Sequence, residues 1–278
     1  MAFNPILILA DLDGSNGFRI DGAVADDRSG RSVSSAGDIN GDGFGDLIIG
    51  AYGTDPNGTN SGSSYVVFGS GGEFSSTLNL SSLNGINGFR IDGVAASDYS
   101  GRSVSSAGDI NGDGFDDLII GAPYADPNGG SSGSSYVVFG SQGGLGAILN
   151  LSTLDGSSGF RIDGEAANDD SGGSVSGAGD INGDGFDDLI IGAESADPNG
   201  GSSGSSYVVF GGSGFGATLN LSTLDGSNGF RIDGVAEGDD FGGSVSGAGD
   251  INGDGFDDLI IGAESADANW ISTALSSE

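Results

Sequence analysis

The 278-residue sequence contains no cysteine, no histidine and no lysine. Without thiols there is no disulfide framework, thiolate metal site or cysteine nucleophile. Without imidazole there is no histidine general base and no Ser-His-Asp triad, and without lysine no Schiff-base chemistry. No apolar run approaches the ~20 residues that a membrane-spanning helix needs, so membrane insertion is not expected. The apolar stretch from Ile6 to Ala10 is too short for a signal-peptide core and follows no basic residue, so no Sec-type signal is expected in this chain. Positive charge is scarce: 7 arginines stand against 40 Asp and Glu, for a net charge of −33. Such a field repels phosphate backbones and anionic lipid, which argues against nucleic-acid and membrane-surface partners.

What the chain does contain is glycine, 58 residues of it, and a 36% hydrophobic fraction, a balance that suits short strands and tight turns rather than helices. One stretch, Asp109-Ile-Asn-Gly-Asp-Gly-Phe-Asp-Asp-Leu-Ile-Ile-Gly-Ala122, recurs four times with little change. Its copies open at Asp38, Asp109, Asp180 and Asp250, spacings of 71, 71 and 70 residues. Each carries oxygen side chains at loop positions 1, 3, 5 and 9 and a glycine at position 6, where a sharp bend is needed. Alternate oxygens on a tight loop converge on one point, which suits a hard cation such as Ca²⁺ with six to eight oxygen ligands.

The expected ligands are Asp38, Asn40, Asp42 and Asp46; Asp109, Asn111, Asp113 and Asp117; Asp180, Asn182, Asp184 and Asp188; and Asp250, Asn252, Asp254 and Asp258. The carbonyls of Phe44, Phe115, Phe186 and Phe256 would fill position 7. Position 8 is Gly45 in the first loop and Asp116, Asp187 or Asp257 in the others. That side chain is expected to point away from the ion, leaving the first site weaker only through a smaller local charge. Four filled sites would reduce the net charge to about −25. An EF-hand needs Glu at position 12, but Ile49, Ile120, Ile191 and Ile261 stand there. A nonapeptide calcium β-helix needs the unit every nine residues, not once per repeat. A turn that holds no metal is the remaining alternative.

Around the loop each repeat reads as a sequence of short strands. Ser32 to Ala36 alternates, Leu47-Ile-Ile49 is continuously apolar, Tyr65-Val-Val-Phe68 is β-branched and aromatic, and Phe89-Arg-Ile91 follows a second loop. Four strands in meander order have the content of a propeller blade, whose sheet faces are buried only against neighbouring blades. Full repeats are expected at 23–93, 94–164 and 165–234, with partial repeats at 1–22 and 235–278, all in one domain covering 1–278. Phe18, Phe89, Phe160 and Phe230 are assigned to blade-to-blade packing. Arg19, Arg90, Arg161 and Arg231 are expected to pair with nearby carboxylates. The acidic pairs Asp26/Asp27, Asp169/Asp170 and Asp239/Asp240 recur in register and read as turn residues rather than as a glycosidase acid and base.

Gly101-Arg-Ser-Val104, Gly108-Asp-Ile-Asn-Gly-Asp-Gly114, Asp117-Leu118, Gly121-Ala-Pro123 and Tyr136-Val-Val-Phe-Gly140 together resemble the FG-GAP repeat of integrin α-subunit propellers and of bacterial surface and secreted proteins. The match is uneven: Phe-Gly survives only as Phe241-Gly242, and Tyr52, Glu194 and Glu264 replace Pro123 in the other copies. The resemblance implies an all-β fold, a β-propeller of antiparallel four-stranded blades, with calcium in the loop between the first and second strands of each. It also implies an extracellular or cell-surface protein, here of bacterial type. Either the four blades close into a ring, with Trp270 to Leu275 and Phe18 to Ile20 completing the last, or the chain forms an incomplete arc of a larger propeller; the arc is the expectation. Open blade edges would then favour self-association. The expected function is a non-enzymatic structural, adhesion or ligand-presenting module for a protein or glycan ligand. The alternative is an accessory part of a secreted polysaccharide-acting hydrolase.

Overall fold

The computed structural model describes residues 8–267 and 273–275. The first repeats contain β1 (Arg19–Asp21), β2 (Val33–Gly37), β3 (Asp46–Ala51), β4 (Ser63–Val67), β5 (Thr77–Asn79) and β6 (Gly88–Asp92). The pattern returns as β7 (Ser103–Gly108), β8 (Asp117–Ala122), β9 (Ser134–Val138), β10 (Ile148–Asn150) and β11 (Gly159–Asp163). It returns again as β12 (Ser174–Gly179), β13 (Asp188–Ala193), β14 (Ser205–Val209), β15 (Thr218–Asn220) and β16 (Gly229–Asp233). β17 (Phe241–Gly249), β18 (Asp258–Ala263) and β19 (Thr273–Leu275) complete the described strands.

The strands form all-β blades. Blade I is the antiparallel meander β2-β3-β4-β6, blade II β7-β8-β9-β11, blade III β12-β13-β14-β16 and blade IV β17-β18-β19. The first two strands of every blade carry a register shift just before the acidic loop, as between Ser35 and Gly37. Gly37 sits there at φ 66°, a left-handed conformation open to glycine, and the kink turns the chain into the loop.

Meander order was legible in the sequence; a fifth strand was not. The Thr-Leu-Asn and Ile-Leu-Asn segments, read from sequence as loop, are short strands that leave their own blade. β10 pairs in parallel with β6 of blade I, and β15 with β11 of blade II. Asn79, Asn150 and Asn220 then cap one-turn 3₁₀ helices, each side chain accepting from the Ser N–H two residues on. Among the described residues the ring does not close. Arg19–Asp21 pairs with Thr77–Asn79 beside blade I and not with blade IV, so the four blades form an arc. Thr273–Leu275 does pair with β18 as a third strand, while Trp270 lies outside the described residues.

The core lies between the sheets. The back of blade I (Ile48, Val66, Phe89, Ile91) packs on the front of blade II (Val104, Leu118, Ile120, Val138). The same layer forms between blades II and III around Ile119, Phe160, Leu189 and Ile191, and between III and IV around Ile190, Val208, Leu259 and Ile261. A smaller layer covers part of the front of blade I with Ile20, Phe74 and Leu78. Phe89 and Phe160 are fully buried at these junctions, Phe230 packs at the third, and Phe18 stacks on Phe74 at 4.3 Å. The strand arginines pair as expected with the aspartate two residues on: Arg90 Nε lies 2.6 Å from Asp92, and Arg231 also reaches Glu165 at 2.9 Å.

Candidate metal centres

Each acidic loop joins the first two strands of its blade and is wound by the same hydrogen bonds. In loop I the Asp38 carboxylate accepts the N–H groups of Asp42 (3.0 Å) and Gly43 (2.9 Å). Asn40 Oδ1 accepts the N–H of Asp42 at 2.9 Å, and Asp42 Oδ1 that of Phe44 at 2.9 Å. Asp109, Asn111 and Asp113 repeat this in loop II, and the third and fourth loops keep it with Asp180, Asn182 and Asp184 and with Asp250, Asn252 and Asp254. Short Asp and Asn side chains can fold back on the next amides of their own turn, so the sequence specifies the winding locally.

The aspartate at position 9 is different because it begins the second strand. Asp46, Asp117, Asp188 and Asp258 are buried. Asp117 accepts N–H bonds from Ile110 (3.1 Å) within the loop and from Gly140 (2.8 Å) beyond the third strand, tying loop and sheet together. Burial pushes its carboxyl up to about 8, against the lowering effect of the Gly140 amide, with Asp113 and Asp109 adding repulsion. For the same leading reason Asp188 rises to about 7 and Asp46 to about 6. Arg19, Arg90, Arg161 and Arg231 pair with the strand aspartate two residues on, and among the described residues no arginine forms an ion pair with a position-9 aspartate.

The donor set fits a hard cation: three carboxylates and one carboxamide oxygen on a nine-residue turn, one of the carboxylates buried without a counter-charge. Among the described residues no three acidic side chains are already gathered tightly enough to grip an ion. The loop oxygens face the loop's own amides.

Position 8 carries a function that sequence spacing does not reveal. Asp116 accepts the N–H of Asp38 in the preceding loop at 2.7 Å, Asp187 that of Asp109 at 2.7 Å, and Asp257 that of Asp180 at 3.0 Å. The phenylalanine at position 7 also reaches back. Rings of Phe115, Phe186 and Phe256 lie against Gly41, Gly112 and Gly183, where a Cβ would overlap them. The loops are therefore stacked blade on blade. Gly45 is the position-8 residue of the loop with no described blade before it, and charge alone does not set that loop apart.

A second cluster breaks the repeat. Tyr52, Tyr99 and Tyr124 form a ladder with ring centroids 5.9 and 5.2 Å apart. Arg28 lies over Tyr52 at 5.2 Å and Arg102 over Tyr124 at 5.8 Å. Its signal in the sequence is that Tyr52, Tyr99 and Tyr124 each stand where the other copies of the repeat carry different residues. The acidic pairs hold turns, as read: Asp27 accepts the Val24 N–H and Asp169 that of Ala166.

Comparison with known proteins places these features in a family. The FG-GAP repeat model matches residues 29–67, 100–138, 171–209 and 241–273, more than half of the chain. Integrin alpha-PS2 of Drosophila melanogaster is 32% identical over 206 residues, 72% of this chain and 14% of that protein. Integrin alpha pat-2 of Caenorhabditis elegans is 30% identical over 239 residues, 83% of this chain and 17% of that protein. Human integrin alpha-7 is 32% identical over 158 residues, 56% of this chain and 11% of that protein. The chain thus spans less than a fifth of the length of these relatives. No helix among its described residues is long and apolar enough to cross a membrane.

Proposed function

Since this chain belongs to the FG-GAP repeat family, we propose that it is a calcium-stapled, non-enzymatic binding module of the cell surface or extracellular space, presenting its loops to a protein or glycan ligand. One observation carries the calcium reading: four loops hold the same oxygen donors at positions 1, 3, 5 and 9 in the same hydrogen-bonded winding. The holding residues would be the Asp and Asn side chains of those positions, with the carbonyls of Phe44, Phe115, Phe186 and Phe256. When bound, Ca²⁺ supplies the positive charge that the buried position-9 aspartates lack and ties the first strand to the second. At extracellular affinities of about 10⁻⁴–10⁻³ M the sites would still be substantially filled where calcium is millimolar.

Likeness to integrin alpha subunits supports an adhesion role, and the Tyr-Arg ladder supports a ligand face there. Aromatic and arginine side chains are enriched where proteins bind partners. The hydrolase reading gains nothing, because the acidic pairs are occupied in turns that recur in register. Calorimetric titration with CaCl₂ tests the metal: about four sites per chain are expected, with a melting temperature that falls in EDTA. No binding heat and an EDTA-insensitive melt would overturn it. A glycan array read beside a glycosidase screen separates binding from hydrolysis.

A further inference from the structure

We propose that copies of this chain associate head to tail, the front of blade I in one copy seating on the back of blade IV in the next. These two faces are the halves of a junction that the chain already makes three times within itself.

On the front of each inner blade the first-strand valine and second-strand leucine are sealed by the preceding blade. Val104 and Val175 are 4% and 5% exposed, and Leu118 and Leu189 both 0%. Their counterparts on blade I, Val33 and Leu47, are 63% and 37% exposed and flank an apolar depression with Ile20 and Ile49. On the back, Ile48, Ile119 and Ile190 are fully buried, whereas Ile260 of blade IV is 45% exposed. Ile39 and Ile110 are likewise buried, while Ile251 stands 62% exposed. Apolar groups that the internal junctions bury, or at Ile181 partly bury, thus face solvent at both ends of the arc, a patch of the kind that marks an interaction site.

The shapes also match. In loops I to III the glycines at position 4 are covered by the next blade's phenylalanine, but nothing of the described chain lies within 4 Å of where a Cβ of Gly253 would be. That glycine is an open seat for a ring, and Phe44 on blade I is the ring in the matching place, 43% exposed. Gly249, whose counterparts meet the carboxyls of Asp116, Asp187 and Asp257, is equally open. Blade I differs at one point. Gly45 replaces the aspartate that would clasp the Asp250 N–H, so the junction keeps its apolar and aromatic contacts and loses its polar latch. That combination fits a reversible contact between copies. A front-to-back contact is heterologous, so it continues into rings or chains unless capped. With −33 on each copy, association depends on screening and is expected at about 0.15 M salt, where the Debye length is about 8 Å, more than in dilute buffer.

The test is the mass of the full chain in solution across a concentration series, with and without calcium, for wild type, Leu47→Asp and Ile260→Asp. Wild type should rise above the mass of one chain with concentration. Each variant, having lost one of the two faces, should stay monomeric. An equimolar mixture should return to the mass of two chains and stop there, because only the back of Leu47→Asp and the front of Ile260→Asp remain competent. Wild type that is monomeric throughout overturns the proposal, as does a single variant that still associates, or a mixture that fails to pair. Both positions are exposed, so melting curves should match wild type; if one variant misfolds, Val33→Asp or Ile251→Asp replaces it. The association is read with calcium absent as well as present, so its failure and that of the calcium reading are separable.

Discussion

The carboxylate of Asp116 accepts the backbone N–H of Asp38 at 2.7 Å, across 78 residues and from one blade to the next. The first residue of one acidic loop is thereby held by the eighth residue of another. Asp116→Ala leaves that N–H without its charged acceptor, and about 1–3 kcal/mol of stability should be lost in denaturant unfolding. Gly45→Asp places the same side chain where no preceding loop receives it, and should change stability by less than about 1 kcal/mol. Equal effects of the two substitutions would contradict the clasp.

Gly112 and Gly253 occupy the same loop position at φ 75° and 79°. Alanine at either pays for the left-handed backbone, about 1–2 kcal/mol. At Gly112 it must also displace the Phe186 ring, which should add about 1–3 kcal/mol. The difference between the two midpoints measures the ring seat alone.

Leu118 and Leu47 are the same residue of the same strand in adjacent blades, one sealed and one at the open end. Leu118→Ala should cost about 2–5 kcal/mol through the cavity it leaves. Leu47→Ala in the monomer should stay within about 1 kcal/mol. Chemical denaturation of both variants at low protein concentration checks the pair.

Calcium stabilises only what it binds. At a hundredfold excess over the dissociation constant one site adds about 2.7 kcal/mol, so the melting temperature should rise with calcium until the sites fill. Asp113→Ala removes one exposed donor from loop II and should lower the number of sites in a calorimetric titration by one. An unaltered count would remove Asp113 from the ligand set.

The loop oxygens were legible because their partners lie two to five residues away: Asp38, Asn40 and Asp42 bond amides of their own turn. Asp116 was not legible, since its partner is in another repeat and its spacing within the loop says only that it faces outward. The Thr77–Asn79 type of strand was missed for the same reason. Three residues in a glycine- and serine-rich stretch become a strand only because a neighbouring edge, such as β6 for Ile148–Asn150, offers hydrogen bonds.

By itself the sequence determined the four meander strands of each full blade, the four acidic windings and the apolar residues that need cover, because periodicity, turn chemistry and short side-chain bonds act over a few residues. Tertiary structure decided which blade supplies the cover, which aspartates clasp neighbours, and that Arg19–Asp21 lies beside blade I and leaves an open arc. Those outcomes depend on contacts between repeats, 58 residues apart at Arg19 and Thr77 and 78 at Asp38 and Asp116, where similar repeats offer equivalent partners and only packing selects among them.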